Sequence, residues 1–187
     1  MGDLKRVGHS IRHVFIKEDG TRFLGQLLKP PMSQTKTATF FNARRILKVD
    51  QKQNVKNGDV FKLADGDWGL CFDNTEGYYR DLIYKTFGII IADHEFTWKR
   101  RISEIDPLSG LKKTIGYKNL GKFKCAMEFV AYIDDSLKIP QPRYRLLCGV
   151  DLRPGDFLDD EITVQHVEDA LGVKLAYVRG KNYDPSN

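Results

Sequence analysis

Short apolar runs separated by turn-forming pairs recur along most of this chain, and few of them keep the spacing of a helical face. Val14-Phe15-Ile16 passes through Lys17-Glu18-Asp19-Gly20 into Arg22-Phe23-Leu24-Gly25-Gln26-Leu27-Leu28. An Asp-Gly pair between apolar runs predicts a hairpin, because glycine takes the positive φ that the tight turn demands. Phe40, Phe41, Ile46, Leu47 and Val49 continue the extended pattern. Val55 to Leu63 follows through Asn57-Gly58-Asp59, and Asp65-Gly66 joins it to Trp68-Gly69-Leu70-Cys71-Phe72, a β-meander. From Tyr78 to Ile91 two periods compete. Tyr79, Leu82, Ile83 and Phe87 fit one helical face, whereas Phe87 to Ile91 reads as a buried strand. Phe96 to Ile102 alternates as a half-buried strand, Asp106-Pro107-Leu108-Ser109-Gly110 forms a hairpin tip, and Lys112 to Tyr117 leaves it.

Lys122 to Ile133 and Tyr144 to Val150 add two more strands, and Arg153-Pro154-Gly155-Asp156 a further turn. Thr163 then stands where it would cap a short helix from Val164 to Leu171 that Gly172 would end, before a last strand over 173–178. These elements predict a mainly β chain: a single β-barrel or β-sandwich domain over 1–187, with long hairpins and loops and one short C-terminal helix. One echo runs through it. Asn57-Gly58-Asp59-Val60-Phe61 and Arg153-Pro154-Gly155-Asp156-Phe157 both place a turn, Gly-Asp and an aromatic after an apolar strand. A duplicated β-unit would produce this, and so would coincidence, since Gly-Asp turns are common.

Composition narrows the class without naming a function. Over 187 residues, hydrophobic residues are 41% and charged residues 29%, the balance of a folded globular chain rather than a disordered one. The net charge of +5 is unevenly spread. Residues 1–56 carry 12 Lys/Arg against 4 Asp/Glu, whereas 57–142 and 143–187 are net −1 and −2. A basic first third suits phosphates, an acidic neighbour, or plain solvation. Lys29-Pro30-Pro31 opens a polar, threonine-rich stretch through Thr39 that predicts a long loop or arm at 29–39. No apolar run reaches the length of a spanning helix, so no membrane partner is expected. Met1 to Arg6 lacks a signal-peptide core, and Arg6 occupies the Ser/Thr position of a myristoylation signal. The expectation is a soluble protein folded in a reducing compartment.

Candidate chemistry is sparse. Cys71, Cys125 and Cys148 are far apart, lie in apolar strand patterns and read as buried thiols. His9 and His13 would share a face only on a helix, and two imidazoles do not complete a metal site. Asp65, Asp67, Asp73 and Glu76 have the outline of a calcium loop, but Leu70 stands where the sharp-turn glycine belongs. Asp93-His94-Glu95 would suit a poised imidazole base, although neighbours on a strand point to opposite faces. Asp134-Asp135 and Asp159-Asp160-Glu161 read as solvated loop acids. No nucleophile elbow or phosphate loop is present. Trp98 followed by Lys99-Arg100-Arg101 combines a stacking ring with cations, as single-strand-binding faces do, yet alternation turns Trp98 and Arg100 away from Lys99 and Arg101.

The order of these features resembles the β-rich neck proteins of tailed bacteriophages, the head-closure or head–tail joining class. It consists of a basic N-terminal region, a long loop, a Gly-Asp-led strand, Asp65-Gly66 and another strand, the tip at 106–110 and a closing short helix and strand. Residues 55–72 and 93–133 carry most of the likeness. It implies a β-barrel protomer repeated in a homo-oligomeric ring between portal and tail proteins, with extended loops interlocking neighbours. Basic segments would face packaged DNA or an acidic partner ring. Arg44, Arg45, Lys99, Arg100, Arg101, Lys112 and Lys113 are the assembly or DNA-facing candidates. The implied location is the virion, after folding in the host cytoplasm, with neither catalysis nor a cofactor. Two alternatives stand beside it. One is a monomeric nucleic-acid-binding barrel using Trp98, Lys99, Arg100 and the basic N-terminal third, and the other an enzyme centred on His94 with Asp93 or Glu95.

Overall fold

The structure, a computed structural model, describes residues 12–29, 45–79, 82–134, 139–170 and 172–180, with the backbone alone at 78, 79, 82, 129–134 and 139–143. Arg44 and most of the 29–39 segment lie outside the described residues. The chain is all β among those residues, as the alternation required. The chain divides into two compact units, residues 1–90 and 91–187. Each is described by itself.

Unit 1 contains β1 (His13–Ile16), β2 (Arg22–Leu28), β3 (Arg45–Asp50), β4 (Val60–Lys62), β5 (Trp68–Tyr79) and β6 (Leu82–Ile91). Its sheet runs β1-β2-β3-β6-β5-β4. The two edges meet where Lys17 bridges Phe61 and Glu18 N–H donates to the Val60 carbonyl at 2.9 Å, so the sheet is rolled on itself. Period-two burial drives the roll. Phe15 and Phe23 turn inward between exposed neighbours and pack with Phe61 as a trio with ring centroids 5.1–5.4 Å apart. Leu47, Val49, Leu70, Phe87 and Ile89 fill the rest of the interior. The described part of the ambiguous 78–91 stretch is strand, because Phe87 and Ile89 face the core opposite Leu47 and Arg45 of β3.

Unit 2 contains β7 (His94–Ile105), β8 (Lys112–Asp134), β9 (Ile139–Cys148), β10 (Phe157–Leu158), β11 (Ile162–Ala170) and β12 (Val173–Gly180). These form a closed barrel in the order β7-β8-β9-β12-β11-β10, with β10 pairing back onto β7. Position for position this is the strand order of unit 1. Phe96, Phe123, Leu146, Leu158, Ile162, Val164 and Val178 are among the side chains filling it. Cys71, Cys125 and Cys148 are buried free thiols, each raised by burial, and Cys148 is pushed up to about 12.

The predicted helix over Val164–Leu171 is not present. Ile162–Ala170 is strand β11, and Thr163 caps nothing. The reason is a β-bulge between Val164 and His166 in the β11–β12 register. A bulge adds one residue to the inward period. It spaces Ile162, Val164 and Val167 so that a strand imitates helical spacing. Gly172, at φ +76°, serves the β11–β12 turn instead of ending a helix.

Candidate interaction surface

The Gly-Asp echo marks the same local structure in both units. Gly58 and Gly155 both sit at φ +88°, where a side chain would be strained. Gly58 N–H donates to the Cys71 carbonyl and Gly155 N–H to the Val164 carbonyl, each at 2.8 Å. Asp59 and Asp156 repeat each other too. Each accepts its own turn's N–H, from Lys56 or Arg153, at 2.9 Å, and each pairs with a cation from the first strand region of its unit. In unit 1 that cation is Lys17, whose Nζ lies 2.7 Å from Asp59 Oδ2 and also donates to the Asn54 carbonyl. In unit 2 it is Arg100. Its Nε and Nη2 each lie 3.0 Å from the Asp156 carboxylate, and Nη2 reaches the Asp151 carbonyl at 2.6 Å. Trp98 Nε1 adds a further bond to Asp156 at 2.9 Å. Each aspartate thus ties the turn before the short fourth strand to the first strand, where the sheet rolls shut. Donation to Asp156 raises the Arg100 guanidinium above its already high ordinary value.

Against this common frame, one difference stands out. Lys17, which bridges Phe61, bonds Thr21 across a turn of three residues, Glu18 to Gly20. The equivalent ladder position, Trp98 opposite Leu158, pairs with Gly121, and 22 residues intervene, Lys99 to Leu120. They form an arm in which β7 and β8 pair only with each other beyond Lys99, roughly 20 Å long at about 3.3 Å per residue. Bulges at Leu120 and Ile115 mark its register shifts. At the tip the Asp106 carboxylate accepts Leu108 N–H at 2.9 Å and Ser109 Oγ–H at 2.7 Å, which holds its pKa below the usual range. Ile102, Ile105, Leu108, Leu111 and Ile115 are all exposed along the arm, Leu108 almost entirely at 97%.

The candidate residues divide accordingly. Arg101, Lys112 and Lys113 are exposed on the arm with no ion pair among the described residues. Lys99 and Arg100 stand at its base, Lys99 clasped to Asp160 at 2.6 Å and Arg100 to Asp156. Arg45 belongs to unit 1, where it bonds Asp65 at 2.8 Å and holds that carboxyl below its ordinary value. Two of the supposed loop acids therefore have partners: Asp160 holds Lys99, and Asp159 accepts Thr97 N–H at 2.7 Å. Trp98 is no free stacking platform, since its ring meets Phe123 edge-on and its N–H is committed to Asp156. His94 Nδ1 lies 2.8 Å from Asp93, while Glu95 is drawn to Lys124 and has its pKa lowered by it. Among the described residues, no three acidic, histidine or cysteine side chains are placed to share a metal ion. No helix there is long and apolar enough to cross a membrane.

Sequence reasoning placed the arm's tip and cations but missed its apolar exposure and the cleft beside its base. That cleft, of about 860 Å³, is lined by Phe157, Asp160, Glu161, Thr163 and Arg179, among others. Tyr117 of the arm packs edge-on against Phe157 at 5.2 Å. A scan against protein-family models, a search of curated proteins and a search of solved structures each returned no match.

Proposed function

We propose that this protein is a structural subunit of a tailed-phage neck, assembling as a homo-oligomeric ring between portal and tail proteins. The observation that supports the reading best is the 22-residue arm, an addition that the sister unit does without in the same strand order. A two-stranded ribbon is marginal in water by itself, and exposed isoleucines and leucines along one add nothing to the barrel it leaves. Both features suit an element that gains its partner on assembly. The closed barrel likewise fits the protomer that the neck resemblance implies.

The runner-up is a nucleic-acid-binding barrel, favoured by Arg101, Lys112, Lys113 and Lys118, all exposed on the arm. Its weakness is Trp98, already committed to Phe123 and Asp156. The solution mass of the full-length protein, alone and with a short duplex, separates the two. A discrete ring-sized oligomer supports the neck subunit. A monomer that binds duplex with a steep salt dependence refutes it in favour of the runner-up.

A further inference from the structure

The arm and the cleft beside its base carry opposite charge. Residues 99–118 hold six Lys/Arg against Glu104 and Asp106, whereas the cleft is lined by Asp160 and Glu161 against the single cation Arg179. Within one copy, the pairs Lys99–Asp160 and Arg100–Asp156 consume part of this at the arm's base. Lys112 and Lys113 at the tip end remain exposed, and so does Glu161 at the cleft. The tip cannot reach the cleft of its own copy. Its base is pinned there by Lys99 on Asp160 and Tyr117 on Phe157, and the ribbon carries the tip roughly 20 Å away.

We propose that the arm of one copy seats in the β10–β11 cleft of a second copy of this chain. Leu108 and Ile105 would rest against Phe157, and Lys112, level with Ile105 in the ladder, would face Asp160 and Glu161. The proposal rests on the ring-forming reading above and names the surfaces that make it. The two surfaces differ, so the contact is heterologous, the kind that closes into a ring when its rotation allows. Exposed apolar side chains at the tip favour a protein partner over DNA, because phosphate contacts make no use of Leu108 or Ile105.

The test is a charge swap read by the mass distribution of full-length protein across a concentration series. Lys112→Glu and Glu161→Lys should each weaken self-association on the order of ten-fold or more, and neither touches the Lys99–Asp160 pair at the arm's base. An equimolar mixture of the two variants should recover it, because each then offers the other a complementary pair. Recovery also shows that both variants are folded. Leu108→Ser, at a fully exposed tip, should weaken association without altering the folded spectrum. Wild-type oligomers indifferent to all three changes would overturn the arm-and-cleft contact while leaving the ring intact. A wild-type monomer at every concentration would overturn the ring itself. A Lys112→Glu variant that loses duplex binding but keeps self-association would assign the arm to DNA and refute the proposal.

Discussion

Removing the Asp156 carboxylate should open the barrel of unit 2. Asp156 is 2% exposed and accepts from Trp98 Nε1, from Arg100 Nε and Nη2, and from Arg153 N–H, at 2.9–3.0 Å. Asp156→Ala leaves the Trp98 indole N–H without its acceptor and the Arg100 guanidinium without its carboxylate, with only the Asp151 carbonyl still accepting from it. Removing one member of a buried ion pair costs about 3–5 kcal/mol, chiefly because the remaining charge is stranded. Arg100 is 26% exposed and recovers part of its hydration, which places the expected loss near the lower end, about 3 kcal/mol. In urea that corresponds to a midpoint lower by roughly 1–3 M. Tryptophan fluorescence in a Trp68→Phe background, with Trp98 as reporter inside the affected network, makes the measurement. The sister site supplies an internal comparison. Lys17 is only 6% exposed, so Asp59→Ala should cost at least as much, and adding Lys17→Met should recover part of the loss. A loss below about 1 kcal/mol for Asp156→Ala, or no recovery in Lys17→Met/Asp59→Ala, would refute the claim that a carboxylate–cation tie closes each roll.

Three further outcomes follow from the same structure. Gly155→Ala should cost about 1 kcal/mol through its φ of +88° alone, since an added Cβ meets nothing within 4 Å, whereas Gly116→Ala on the arm, equally open but without positive φ, should fall within about 0.5 kcal/mol; equal unfolding midpoints would contradict this. The Cys148 thiol stays protonated to about 12 when folded but ionises near 9.0 when exposed, so its contribution is complete below pH 9 and is lost as pH rises from 9 towards 12; native protein at pH 8 should leave all three thiols unlabelled by a thiol reagent until denatured, and rapid native labelling would count against it. Replacing Ile102–Gly116 with Asn-Gly should leave unit 2 folded with stability changed by about 1 kcal/mol or less, because Arg101 and Tyr117 already face each other in the ladder; loss of the folded spectrum would show that the arm supports the barrel.

Local chemistry made most of the strands legible. Asp19-Gly20, Asp65-Gly66 and the tip at 106–110 all turn where the sequence placed turns, with Gly20, Gly66 and Gly110 at positive φ. The bulge at Gln165 defeated the same reasoning, because one inserted residue turns period two into something resembling a helical spacing. The Asp156 network was invisible for a different reason: Asp156 lies 58 residues from Trp98 and 56 from Arg100, and no local pattern records which carboxylate a cation meets. Alternation placed Trp98 and Arg100 on one face, and they do converge on Asp156 with Arg100 5.2 Å from the indole centroid. It could not say that this face was occupied. The echo at 57–61 and 153–157 was visible as five residues, whereas its meaning lies in hydrogen bonds to Cys71 and Val164 that sequence spacing does not show.

The repeated frame separates what holds the fold from what is added to it. Both units use the same strand order, the same positive-φ glycine and the same aspartate between its turn and a cation. In unit 1 the first hairpin ends three residues past Lys17, and the sheet still rolls until its edges meet. A short hairpin is therefore sufficient for this fold, and the extra length from Lys99 to Leu120 has to be explained by something other than closure. Its composition points the same way. Along the arm the apolar residues face water instead of a core, and the lysines near the tip have no partner among the described residues. Folding alone would tolerate a polar ribbon there, or none. An exposed Ile105, Leu108 and Leu111 carry a cost in solubility that is offset only when another surface covers them.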